Sequence, residues 1–191
     1  MRIKLEKRGI RALGISESFK KEIGTRSILG GVVMRSDLIV DGLLFGVATL
    51  EGDDATDAIL SMVKRLNRND INIIIRSGAI ISLYNIIDID RVGQETGIPI
   101  ICITFEESGG LVQSIKRHFP KKWEKKVEEY KKLDRREVIY LKTGYRIFAR
   151  TYGLDIDESK KVLDKFILQG AVPEPVRLAR LLAKAKLETI Q

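Results

Sequence analysis

The chain has 191 residues, 44% of them hydrophobic, which is enough to bury a sizeable core and fits one domain of ordinary size better than two. No run approaches the roughly 20 apolar residues of a membrane span, the charged start MRIKLEKRGIR leads into no signal-type apolar core, and a lone cysteine, Cys102, excludes an intrachain disulfide and a cysteine-rich metal site. These features point to a soluble cytoplasmic protein, and a net charge of +8 admits anionic partners such as nucleic acid without requiring them.

Arg2, Lys4, Lys7, Arg8 and Arg11 against Glu6 make a basic arm ahead of a first strand, in which Ile10 to Ile15 runs into GISESF. Residues 27–35 and 38–50 read as two more strands joined tightly at Ser36 and Asp37, so three neighbouring antiparallel strands are expected. Gly30, Gly31, Gly42 and Gly46 permit bulges or bending there but form no phosphate-binding fingerprint. At Gly52-Asp53-Asp54 an acid cap precedes Ala58, Ile59, Met62, Val63 and Leu66 at helical spacing, which predicts an amphipathic helix. Acids at a helix start suit the helix dipole, at about 0.3–1 kcal/mol each, and suit a metal site equally well.

Residues 71–88, INIIIRSGAIISLYNIID, hold the unbroken run Ile73, Ile74 and Ile75, which suits a strand covered on both faces and hence a central parallel strand. It stops at Ser77-Gly78, and ligands of open α/β sheets gather at the carboxyl ends of such strands. A helix around 87–95, ended by Gly97 and Pro99, and a short strand over 98–104 complete a β-α-β-α-β order, with right-handed crossovers making the later strands parallel to the first. Cys102 in that last strand reads as a buried free thiol. Glu106 and Glu107 in the following FEESGG are site candidates or a solvated loop.

A basic helical insertion spans about 111–136. It comprises a helix over 111–118, Pro120, and a second helix in which Trp123, Val127, Tyr130 and Leu133 form a narrow apolar stripe. Between Ile115 and Arg136, ten Lys or Arg stand against four acids, a net +6. Lys121, Lys122, Lys125 and Lys126 interleaved with aromatics fit nucleic-acid backbone contact, and a solvated hairpin fits the same pattern. His118, the only histidine, reads as a surface residue. Residues 137–141 and 146–152 read as strands, and 155–168 as a helix stopped by Gly170. Val172-Pro173-Glu174-Pro175 opens a last helix with Leu178, Leu181, Leu182 and Ala185 inward and Arg177, Arg180 and Lys184 as a basic stripe.

The stretch from Leu154 to Lys186, with its core P-E-P-x-R-L-A, resembles the C-terminal part of endonuclease V enzymes, while Gly14 to Phe19 and Ile73 to Gly78 resemble that family's first and central strands. EGDDATDAI, SGAIISLYNIID, TGIPIICITFEESGG and VPEPVRLA, in this order, are similar to the archaeal sister family endonuclease dU over nearly the whole chain. The resemblance implies a single endonuclease V-like domain over 1–191 of α/β class. Its sheet would be mixed and ribonuclease H-like, with three antiparallel strands followed by parallel strands with crossover helices, and a C-terminal helical part. It also implies Mg²⁺-dependent nicking of DNA that carries deaminated bases such as deoxyuridine or deoxyinosine, chemistry that needs clustered carboxylates.

The same resemblance places Ser16 at the family's first-strand aspartate, Ser77 at the aspartate of its central Asp-Gly pair, and Arg180 at the histidine of its last helix. Asp53 and Asp54 are the remaining catalytic and metal candidates, and Glu17 would need a bulge to join them because successive strand side chains point to opposite faces. The leading expectation is a nucleic-acid-binding relative with impaired nuclease activity, in which Lys121, Lys122, Lys125, Lys126, Arg177, Arg180 and Lys184 meet phosphate. An active Mg²⁺ enzyme with a rearranged site and a protein-interaction subunit with an acidic partner are the alternatives.

Overall fold

The computed structural model describes residues 9–22, 24–107, 109–133 and 135–190, so the arm from Arg2 to Arg8 lies outside the described residues. The elements run β1 (Arg11–Ser18), β2 (Arg26–Arg35), β3 (Val40–Thr49), α1 (Ala55–Leu66), β4 (Ile73–Ser77), β5 (Ile80–Ile81), β6 (Asn85–Ile86), α2 (Ile89–Thr96), β7 (Ile100–Thr104), α3 (Val112–His118), α4 (Trp123–Lys132), β8 (Glu137–Tyr140), β9 (Arg146–Tyr152), α5 (Ile156–Phe166) and α6 (Glu174–Glu188).

Side-chain alternation in β4 sets the layering: Ile73 and Ile75 belong to one apolar layer, Ile74 to the other, and all three are fully buried. On the Ile74 side, Leu13, Ile15 and Ile100 pack with Ile59 and Met62 of α1 and Val92 of α2. On the opposite side, Ala12, Ile101, Ile103 and Ile147 pack with Val162, Leu163 and Phe166 of α5 and Val176 of α6. Among the described residues the main sheet has the order β3-β2-β1-β4-β7-β9-β8. β1, β2 and β3 are antiparallel neighbours, β4 and β7 run parallel to β1, and β9 returns antiparallel to β7 and pairs with β8. This is the ribonuclease H-like mixed sheet implied by the resemblance. Among the described residues, no helix is long and apolar enough to cross a membrane.

The last helix presents a different face from the one its leucines suggest. Pro175, Val176, Ala179, Ala183 and Leu187 are buried, whereas Leu181 and Ala185 are exposed and Leu178 and Leu182 only half-buried. The reason lies in the sheet, where Gly14 and Gly30 leave no side chain beneath the helix. A methyl group built on Gly14 would overlap the Pro175 carbonyl and sit 2.6 Å from the Pro175 Cβ, and one on Gly30 would overlap the Ala179 carbonyl and sit 2.9 Å from the Ala183 amide nitrogen. The helix is therefore seated through small residues at a backbone-to-backbone distance that leucines cannot reach.

The pair β5 and β6 was not expected. Between them Ser82, Leu83 and Tyr84 take φ values of 47°, 59° and 69°, three consecutive left-handed residues without a glycine. At the other end of the sheet the open edge strand β3 is guarded: Arg65 donates to the Phe45 carbonyl at 2.5 Å and Arg68 to the Asp41 carbonyl at 2.9 Å. Cys102 is buried as expected, and burial pushes its thiol up to about 11 against the opposing influence of Arg76 and Arg150.

Gly30→Ala is expected to force α6 off the sheet, because the obstructing atoms are backbone and cannot swing aside. The cost should be about 2–3 kcal/mol, seen as a lower urea midpoint with an unchanged slope.

Candidate functional site

The carboxyl ends of β1, β4 and β7 open into a cleft of about 860 Å³. Ser16 pairs with Gly30, whose open side faces Ala179, so Ser16 points to the α6 face; Ser77 shares its side of β4 with Ile73 and Ile75. Both serines, Arg180 and Lys184 line the cleft. The three positions that the resemblance aligns with catalytic residues thus converge in one place.

Glu17 points to the other face, as strand alternation requires. Its carboxylate accepts from the Ser82 amide at 3.0 Å, the Ser82 hydroxyl at 2.6 Å and the Ser27 hydroxyl at 3.2 Å. Each left-handed residue costs about 1–2 kcal/mol, and hydrogen bonds to a charged carboxylate contribute about 1.5–3 kcal/mol, so Glu17 is well placed to hold the Ser82 turn. Asp53 and Asp54 lie outside the cleft. Asp54 sits at the start of α1 but makes no side-chain cap; it accepts from the Thr49 amide and hydroxyl and from the Asn85 side-chain amide, while Asn85 Oδ1 takes the Ala55 amide, one of the free donors of the first turn. Burial pushes Asp54 up, and these donors more than offset it, leaving its pKa lowered.

Asp53 binds the hairpin through two lysines. It pairs with Lys126 at 2.5 Å and with Lys125 at 3.0 Å. Burial raises its pKa, but the hydrogen bonds and charges of the two lysines win and hold the carboxyl below the usual aspartate range. Lys126 is only 7% exposed and also donates to the Gly52 and Tyr84 carbonyls, so it is an internal anchor and not a surface for phosphate. His118 is exposed, as expected, bonds Glu51 at 2.8 Å and has ring contacts at 4.9 Å with Tyr84 and 4.7 Å with Phe119. Lys121 and Lys122 are exposed, and Arg177 is exposed but engaged with Glu174 at 2.6 Å.

The cleft contains cations that sequence reasoning missed. Arg136 and Arg150 line it together with Arg180 and Lys184, against the carboxylates of Glu17 and Glu106. Arg136 donates to the Thr104 hydroxyl at 3.0 Å and the Glu106 carbonyl at 2.9 Å, while Glu107 stands outside the cleft near Arg146. Arg150 lies opposite Cys102 in the β7–β9 pair, and only the alternation of β9 against the apolar Ile147 and Ala149 marks it in the sequence. Magnesium needs oxygen ligands converging on one point. Among the described residues no group of three His, Cys, Asp or Glu side chains converges, and the residues of this cleft do not fit the ion.

Residues 8–187 match the endonuclease dU family. The chain belongs to that family. A UPF0215 protein of Pyrobaculum calidifontis is 36% identical over 171 residues, covering 90% of this chain and 93% of the relative. The crystal structure of a protein of unknown function from Archaeoglobus fulgidus is 28% identical with a TM-score of 0.79, covering 93% and 98% of the two chains. Endonuclease V of Ciona intestinalis, solved with a 24mer DNA containing an inosine followed by a ribo-adenosine, shares the fold at 13% identity and a TM-score of 0.63, over 96% of this chain and 88% of that one. In this endonuclease dU family member, Asp53 serves the attachment of the α3–α4 hairpin and Asp54 ties the end of β3 to the start of α1.

Lys126→Met should therefore destabilise the protein by about 1–3 kcal/mol, discounted for the half-exposed Asp53, and should speed proteolysis of the hairpin. Because the folded pKa of Asp53 is lowered, its stabilising effect is complete above the ordinary aspartate value of about 3.9 and is lost as pH falls through the lowered one. Asp53→Asn should flatten this acid limb in a denaturation series across that range.

Proposed function

We propose that this member of the endonuclease dU family binds nucleic acid along the strand-end cleft, in keeping with a role in handling deaminated DNA, and that phosphodiester hydrolysis there is impaired. The observation that carries the reading is the meeting of Ser16, Ser77 and Arg180 in one cleft, with Lys184, Arg136 and Arg150 around them. A serine hydroxyl is a poor ligand for Mg²⁺ and no base at neutral pH, so neither position can hold the ion or take a proton from attacking water. Arginine and lysine along the same cleft suit the phosphate backbone, which supplies sequence-independent affinity. The DNA complex of the Ciona protein, on the same fold, supports nucleic acid as the ligand.

Fluorescence anisotropy with labelled single-stranded and duplex oligonucleotides containing deoxyuridine tests the binding. Affinity should fall steeply with salt, and Arg180→Ala and Lys184→Ala should each reduce the slope of log K against log salt by about 1. Lys126→Met should leave that slope unchanged. Absent or salt-independent binding would sink the proposal. Incubation with the same duplexes plus Mg²⁺ or Mn²⁺ should give no nicked strand while an active endonuclease V nicks in parallel; nicking by this chain would refute the impairment.

A further inference from the structure

Arg76 is the largest fully buried side chain among the described residues, and it stands one residue before the strand end. It lies in a row across the sheet with Ile15, Cys102 and Arg150, on the face where Glu17 and Arg150 border the cleft. Its Nη2 donates to the Ser77 carbonyl at 2.9 Å, while Nε and Nη1 find no hydrogen-bond acceptor among the described residues. Burial disfavours the charged guanidinium and lowers its pKa from the ordinary arginine value, with Cys102 and Glu17 opposing but not bonding it, and an arginine stays protonated even so. Glu17 directs its carboxylate to Ser82 and Ser27 instead.

Replacing buried ionic groups by apolar ones of similar size is often neutral or stabilising. An arginine in such a position, with no ion pair among the described residues and beneath a cleft lined by Arg136, Arg150, Arg180 and Lys184, adds positive potential where a ligand's charge would lie. A divalent cation entering the same place would meet repulsion from every one of these groups, and among the described residues lining the cleft the acidic ones are Glu17 and Glu106. An oxyanion meets the reverse: guanidinium and ammonium donors already in position, and a buried cation that screening by solvent does not weaken.

Building on the nucleic-acid reading above, we infer that the cleft holds a phosphate group of its ligand by fixed cationic charge alone, with Arg76 as the buried source of that charge, and recruits no divalent metal. The site is then an anion-recognition site occupying the place where metal-assisted chemistry would be carried out. Arg76 acts through its field and positions the phosphate; it does not touch the strand.

Anisotropy titrations of the full chain with a fluorescein-labelled, deoxyuridine-containing single strand, run in EDTA and in MgCl₂ at matched ionic strength, separate the cases. Affinities should agree within about twofold, and calorimetric titration of MgCl₂ or MnCl₂ alone into the protein should give no binding heat. Arg76→Met should melt at the same or a higher temperature and bind about tenfold more weakly; should it fail to fold, Arg76→Gln, which keeps a donor for the Ser77 carbonyl, carries the same expectation. Binding that requires Mg²⁺, saturable metal binding by the free protein, or a folded Arg76 variant with full affinity overturns this inference and leaves nucleic-acid binding standing. Loss of binding in both buffers overturns the nucleic-acid reading itself.

Discussion

The close seating of α6 on the β1–β2 ladder is the constraint from which the site follows. Gly14 and Gly30 let the Pro175 and Ala179 backbone approach the sheet directly, and that approach fixes the rotation of the helix. With Val176, Ala179 and Ala183 turned down, Arg180 and Lys184 reach the end of β1, where Ser16 also faces α6. A helix lying on its leucines would stand farther off and present a different edge. The two glycines are therefore functional in effect, although neither touches the cleft.

A second consequence concerns the α3–α4 hairpin, whose sequence advertises charge. Ten basic residues between Ile115 and Arg136 look like one surface, yet the structure divides them by task. Lys126 fills an internal position against Asp53 and two carbonyls, Lys125 follows it onto Asp53, and Arg136 turns toward the cleft. The anchoring explains the acids of EGDD without a metal, because Asp53 holds the hairpin and Asp54 ties the end of β3 to the start of α1. It also stabilises the left-handed turn, since Lys126 bonds the Tyr84 carbonyl and the Glu51 amide bonds the Ser82 carbonyl.

The sheet was legible because its information is local. Unbroken Ile73 to Ile75, the turn at Ser36 and Asp37, and the helix stops at Gly97 and Gly170 each declare themselves within a few residues. The convergence of Ser16, Ser77 and Arg180 was legible through resemblance, as positions and not as chemistry. What escaped depends on contacts distant in sequence. The face of α6 is chosen by glycines more than 140 residues away, and the burial of Lys126 by carbonyls at Gly52 and Tyr84. Helical periodicity identified an apolar stripe in α6 without distinguishing leucine from alanine packing. Arg76 was hidden for a related reason: inside an apolar strand, a lone arginine reads as an interruption, and only the fold reveals that its Nε and Nη1 find no acceptor among the described residues.

Charge decides what such a cleft can hold. At an effective dielectric constant near 20, a divalent ion about 5 Å from one guanidinium is repelled by about 7 kcal/mol, and the Glu17 carboxylate that could offset it is already turned to Ser82 and Ser27. A phosphodiester at the same distance is attracted by about 3 kcal/mol per guanidinium. With serines at 16 and 77 and arginines at 76, 136, 150 and 180, the sign of the local field favours the substrate's charge and opposes the metal's. Restoring carboxylates at Ser16 and Ser77 alone would then leave the cation opposed by the arginines, above all by Arg76, which is locked beneath the strand end and cannot swing away. On the reading proposed above, the strand-end cleft differs from a metal site by a set of residues and not by a single substitution.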